Sequence, residues 1–211
     1  MTANLPLQLP LRLGFLASHG GSSMRAILHA IRAGELNAEP RIVISNNAAC
    51  EALALATAEA IPARRISAAS EGSPEAADLA VAEALSAAGA ELVVLSGYMR
   101  KLGPQMLKRF SGRILNIHPA LLPGHGGQGM YGRRVHEAVA AAGDSISGAT
   151  VHLVDQDYDT GPAIAREHVE LEAGDDADAI ERKVRAIEPQ LFVRTLQRIA
   201  EGRLSLPEPH L

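Results

Sequence analysis

Leu11-Arg12-Leu13-Gly14-Phe15-Leu16-Ala17, followed directly by Ser18-His19-Gly20-Gly21-Ser22-Ser23-Met24, decides how the rest of this chain is read. The first seven residues are an apolar run bounded by turn-forming residues, the pattern of a buried strand. Two glycines then permit a sharp turn and close approach of the backbone to a ligand, and the serines stand where a helix begins. A helix N-terminus leaves N–H groups unpaired, so strand, glycine turn and helix together suit an anion, with Gly20, Gly21, Ser22 and Ser23 as the cradle. A tight turn with a Ser cap is the plainer alternative, because the full Walker and dinucleotide glycine patterns are missing. On either reading the stretch opens an α/β fold.

The alternation continues along the chain. Short aliphatic runs at 11–17, 41–45, 63–67, 92–95, 114–118, 150–154 and 163–169 read as strands. Ala-rich stretches at 22–33, 50–60, 74–88, 104–110, 135–142 and 177–201 read as helices. Strands joined by helices predict an open, three-layer α/β/α arrangement with a mostly parallel, twisted sheet of about seven strands. The compact Asp155-Gln156-Asp157-Tyr158-Asp159-Thr160-Gly161-Pro162 link suggests that the last two strands run antiparallel.

A chain of 211 residues can bury one substantial core, so a single domain over 1–211 is expected, with loose tails at 1–10 and 205–211. The composition is 47% hydrophobic but 3% aromatic, without Trp, so aliphatic side chains and Ala must fill that core. A net charge of -4 gives no global reason to bind nucleic acid or an anionic membrane. Cys50 is the single cysteine, which excludes an intrachain disulfide and fits a reducing compartment. No apolar run approaches the roughly 20 residues of a membrane span. A cytoplasmic setting is therefore expected; monomer and homodimer both remain open.

Chemistry concentrates at Asn116-Ile117-His118-Pro119-Ala120-Leu121-Leu122-Pro123. In an extended backbone, residues two apart project to the same face, which sets Asn116 beside His118 at the carboxyl edge of the sheet. An amide can hold an oxygen that gains charge, and an imidazole can move a proton near neutral pH. In open α/β sheets ligands bind outside the carboxyl ends of the strands, where the glycine turn also lies. Gly124-His125-Gly126-Gly127-Gln128-Gly129 formally matches a dinucleotide pattern but follows no first strand, and reads better as a loop able to close over a substrate. His118, His125, His136 and His152 lack paired-ligand spacing, so no metal is expected.

These motifs, in this order, resemble the phosphoribosylglycinamide formyltransferases, and the resemblance covers nearly everything from Leu11 to Pro207. NIHPALLP is similar to that family's catalytic strand, Ser96-Gly97-Tyr98-Met99-Arg100-Lys101-Leu102 to its folate-contacting segment, and VDQDYDTGP to its catalytic-aspartate loop. The resemblance implies a formyltransferase fold with a Rossmann-like N-terminal half, and Asn116, His118 and Asp159 as the catalytic group. It implies that the substrates are glycinamide ribonucleotide and formyl-tetrahydrofolate. The glycine cradle, with Arg185 and Glu188 of the late helix, would hold the ribonucleotide. Met99, Arg100, Lys101, Leu102, Asn116, Asp155 and Asp159 would enclose the folate. Two departures stand out. The loop after Pro123 is Gly-rich and contains Met130-Tyr131-Gly132, where many members have a shorter His-containing stretch. Ser73-Pro74-Glu75 stands where many have a basic residue, so a contact to the folate's acidic tail is missing or replaced. A formyl-tetrahydrofolate hydrolase would use the same three residues on water, and a non-catalytic nucleotide-binding module would explain the cradle but not Asn116 and His118.

Overall fold

The computed structural model describes residues 9–206; the tails expected at either end lie largely outside the described residues. Seven strands form one sheet: β1 (Leu11–Ala17), β2 (Ala38–Ser45), β3 (Ala63–Arg65), β4 (Leu92–Leu95), β5 (Ile114–His118), β6 (Ile146–Leu153) and β7 (Ala163–Glu170). Their spatial order is β3-β2-β1-β4-β5-β6-β7. The five strands from β3 to β5 are parallel, whereas β5 with β6 and β6 with β7 are antiparallel. The expected reversal of the last pair is present, and a second reversal at β5 and β6 accompanies it. The order turns back between β1 and β4, and such a switch point leaves a crevice at the carboxyl ends of the strands.

Among the described residues seven helices complete the layers: α1 (Ser22–Arg32), α2 (Glu51–Ala58), α3 (Ala68–Glu71), α4 (Pro74–Ala87), α5 (Pro104–Arg109), α6 (Arg133–Ala142) and α7 (Ala177–Ala200). Period-two alternation divides the strand residues between two cores. Leu11, Leu13, Phe15 and Ala17 of β1 face the core that receives Phe192 and Leu196 of α7, while Leu16 faces Leu85 of α4. Gly14 keeps that second face open, since a Cβ there would lie 2.3 Å from a methyl carbon of Leu85. With so few aromatics, the three Phe residues are all spent inside, at 0 to 5% exposure.

Several boundaries differ from the sequence reading for local reasons. β2 starts at Ala38 rather than 41, because a register shift opposite Leu13 and Gly14 accommodates Pro40, which has no N–H to give the ladder. β3 stops at Arg65, and Ser67 instead caps the unforeseen α3 by accepting from Ser70 N. β6 begins at Ile146 rather than 150, and α6 at Arg133 rather than 135.

The segment after β5 is held by Thr150, which is fully buried on β6. Its hydroxyl donates to Ala120 O at 2.7 Å and accepts from Leu122 N at 3.0 Å. Arg166 of β7 donates to Leu122 O from Nε and Nη2 at 3.2 and 3.0 Å. Thr150→Val keeps the shape but strands both backbone groups, and each buried polar group left unpaired costs about 1–3 kcal/mol. Urea unfolding should show a loss in that range or above; a loss below about 0.5 kcal/mol would mean that Thr150 does not pin this segment.

Candidate active site

β5 and β6 build the centre of the site between them. Their antiparallel register sets Asn116 directly opposite His152 and His118 directly opposite Thr150. Residues directly opposite in such a pair share a face, so alternation on each strand brings four polar side chains together. His118 and His152 are almost wholly buried, at 3% and 2% exposure. Asp159 reaches both from the loop between β6 and β7. Its carboxylate lies 3.4 Å from His118 Nδ1 and 3.5 Å from His152 Nε2. The sequence-derived trio of Asn116, His118 and Asp159 is therefore brought together, and His152 is its fourth member.

The hydrogen bonds assign the tautomers. His118 Nε2 lies 2.8 Å from the carbonyl oxygen of His125 and must carry a hydrogen to bond it. His152 Nδ1 is likewise the donor to Leu153 O at 2.9 Å, which leaves His152 Nε2 to accept from Asn116 Nδ2 at 3.1 Å. In neutral rings, both nitrogens facing Asp159 then carry lone pairs. In that state a hydrogen on either imidazole would convert an acceptor facing an acceptor into an ion pair.

Burial pushes the His118 imidazole below its ordinary value, the Asp159 carboxylate and the His125 carbonyl opposing the fall and the His152 and His125 rings adding to it. Burial acts on Asp159 in the upward sense, yet bonds and charge from His152, the charge of His118 and the Gly127 N–H hold its carboxyl below the usual range.

The Gly-rich loop is part of this structure rather than a detached cover. His125 supplies the carbonyl for His118 from a left-handed backbone, φ 52°, and its ring pairs with Asp144 at 2.6 Å. Gly127 N donates to Asp159 Oδ2 at 3.0 Å. Gly126 has no room for a side chain, because a Cβ would sit 2.5 Å from Leu122 Cδ2 and 3.2 Å from Asp159 Cβ. Residues 125–127 are thus fixed against the catalytic candidates, which the glycine count alone did not predict.

Six of the seven expected cofactor residues line one cleft. Arg100, Lys101, Leu102, Asn116, Asp155 and Asp159 border a cavity of about 90 Å³, and Tyr98 and 100–102 also border a larger one of about 500 Å³. Met99 is exposed beside it, and Lys101 lies over the Tyr158 ring at 5.4 Å. Asp155 organises the loop, accepting from Asp157 N and from the Thr160 hydroxyl at 2.7 Å. The expected glycine turn forms: Gly21 is left-handed, φ 63°, and precedes α1 as its cap, with Ser22 and Ser23 as the first helical residues. Ser96 accepts from Met24 N at 3.0 Å, so β4 also anchors this helix start.

Arg185 and Glu188 lie on α7, which packs against α1 and α6. Arg185 is exposed and paired with Glu181 at 3.0 Å. Glu188 is half-buried, and burial raises its carboxyl to about 7, against the pull of Arg185 and with the push of Glu181. The histidines once weighed as a metal set are dispersed in role, and among the described residues no group of His, Cys, Asp or Glu is arranged to hold a metal. No helix among them is long and apolar enough to cross a membrane.

The fold defines the class of protein first: residues 11–196 match the family model described as Formyl transferase. The chain is 38% identical over 196 residues to phosphoribosylglycinamide formyltransferase of Mycobacterium tuberculosis, covering 93% of this chain and 88% of that one. It is 33% identical over 193 residues to the chloroplastic phosphoribosylglycinamide formyltransferase of Vigna unguiculata, spanning 92% of this chain but 62% of that relative's length. The crystal structure of glycinamide ribonucleotide transformylase 1 from Symbiobacterium toebii superimposes with a TM-score of 0.86 at 35% identity, covering 94% of this chain and 92% of that one. The chain belongs to the formyl transferase family, among the phosphoribosylglycinamide formyltransferases.

The raised carboxyl of Glu188 sets a pH test. A folded state that prefers the protonated acid gains stability fully below the ordinary value of 4.5 and loses it as pH rises through about 7. Glu188→Gln removes that loss, so the variant should gain stability relative to wild type between about pH 5 and pH 8. Parallel stability profiles for the two proteins would show that Glu188 is not held protonated.

Proposed function

We propose that this protein transfers the formyl group of formyl-tetrahydrofolate to the amine of glycinamide ribonucleotide. The observation that carries the reading is the Asp159 cluster, a carboxylate facing two buried imidazoles at the edge of a cleft that Asn116 also lines. An amine that attacks a carbonyl must lose a proton, and a buried, preorganised acceptor suits that step. A single domain is taken to carry both half-sites, and the lone Cys50 suits a reducing setting such as the cytoplasm.

The ribonucleotide phosphate takes the Gly20, Gly21, Ser22 and Ser23 cradle, and Arg185 and Glu188 meet the same substrate from α7. The pterin enters the cleft between 99–102 and the loop of Asp155 to Asp159. The amine nitrogen bonds to the formyl carbon, and the carbonyl electron pair moves onto oxygen. Asn116 Nδ2–H and His118 Nε2–H hold that oxygen, the latter exchanging its bond to the His125 carbonyl. The amine proton moves through water to the His118 and Asp159 pair, where Asp159 stabilises protonated His118 at Nδ1, and passes from that pair to the folate nitrogen. The bond from carbon to that nitrogen then breaks, leaving formylated ribonucleotide and tetrahydrofolate. No covalent enzyme intermediate and no metal enters these steps. A hydrolase would direct the same groups at water and would need no phosphate cradle.

General acid or base groups contribute about 100-fold to 10,000-fold in rate. His118→Ala and Asn116→Ala should each lower kcat by about that much with the melting transition preserved; near-normal turnover removes the residue from the mechanism. Gly21→Val meets both a left-handed backbone and a contact of 3.2 Å with Ala52 Cβ. It should raise KM for the ribonucleotide far more than KM for the folate, and equal effects would count against the cradle.

A further inference from the structure

In the segment Met99 to Leu102, which belongs to no helix or strand, Arg100, Lys101 and Leu102 border the cleft, so something else must hold its backbone in place. Its N-terminal end is tied to the phosphate side of the site: Met99 N donates to the Ser18 hydroxyl at 2.8 Å, and Ser18 N donates to Gly97 O at 3.1 Å. Its C-terminal end is tied by one carboxylate from another element. Asp78 of α4 accepts from Gly103 N at 3.0 Å, Gln105 N at 2.8 Å and Met106 N at 3.4 Å. Three donors leave neither carboxylate oxygen idle. Gly103 permits this approach, since a Cβ there would fall 2.4 Å from the Asp78 carboxyl carbon. Leu102, buried in the α4 and α5 core, fixes the same end through packing. Among the described residues no hydrogen bond engages the backbone of Arg100, Lys101 or Leu102, so these groups remain for a ligand while both flanks are clamped.

We propose that Asp78 is a positioning residue for folate recognition, holding the 99–102 backbone at the height and angle from which it reads the pterin edge. The inference rests on the functional reading above. Asp78 borders the larger cavity alone, whereas Arg100, Lys101 and Leu102 border both; it acts on the pterin cleft through the peptide it holds. A carboxylate is required because every one of its partners donates. In Asp78→Asn the amide has one acceptor oxygen, and either way round its NH2 group faces at least one backbone N–H.

The test is titration calorimetry of the full-length Asp78→Asn variant with tetrahydrofolate and, separately, with glycinamide ribonucleotide. The Kd for tetrahydrofolate should rise about tenfold and that for the ribonucleotide should stay within about twofold, which also shows that the variant is folded. Gly103→Ala, which drives the carboxylate off its partners, should reproduce the same selective loss. Amide hydrogen exchange across 99–106 should quicken in both variants. Equal weakening of both ligands, undiminished folate binding, or unchanged exchange would each overturn the role of Asp78. A wild type that moves no formyl group would instead strike the functional reading, while the exchange measurement still decides whether the clamp exists.

Discussion

The Asp159 carboxylate is the fixed point about which the site is arranged. It faces two imidazole nitrogens at 3.4 and 3.5 Å and accepts from Gly127 N at 3.0 Å, so three separate segments converge on one group. Asp159 itself has a left-handed backbone, φ 59°, a conformation that Asp tolerates better than most residues. The loop that carries it closes tightly, because Gly161 lies where a Cβ would be 1.9 Å from Leu153 O. Backbone geometry thus aims the carboxylate, and burial of both histidines makes its charge effective. Two neutral rings offering lone pairs to a carboxylate are poorly matched in the resting arrangement. They become better matched when a proton arrives, and the Asp159 carboxylate opposes the fall that burial imposes on His118.

Sheet topology decides what that proton acceptor can reach. The parallel half brings the cradle of β1 and α1 to the switch point beside β4, and the same β4 leads into the 99–102 segment. The antiparallel turn from β5 to β6 then sets Asn116 and His118 against His152 and Thr150. Ser18 links two halves of the site, the glycine turn and the 99–102 segment: its hydroxyl accepts from Met99 N and donates to Asn46 Oδ1 at 2.6 Å. A ligand phosphate and a pterin bound at the two halves would be registered to each other through this shared backbone, and registration of reactants is a large part of catalysis by positioning.

What could be read from the sequence was local. Strand alternation gave Asn116 and His118 a common face, and Gly20-Gly21-Ser22 announced its turn, because both depend on neighbours within a few residues. His152 was passed over as one of four scattered histidines, since its role needs the register of β6 against β5. Asp78 was invisible for the same reason: it caps a helix start 25 residues away from it in sequence. Thr150 looked like an ordinary strand residue until the segment it pins was placed beside it. Arg185 and Glu188 came only from resemblance, and the structure supplies the surface pair and the half-buried acid that helical spacing could not distinguish.

The central claim is that two half-sites converge so that an amine, and not water, meets the formyl carbon. The most direct measurement follows a carbon-labelled formyl group from formyl-tetrahydrofolate by NMR, with and without glycinamide ribonucleotide. Label should appear on the ribonucleotide amine, with deformylation at least about 100-fold faster when the ribonucleotide is present, a factor well within what positioning supplies. Labelled formate released at the same rate in its absence would contradict the account and identify water as the true acceptor.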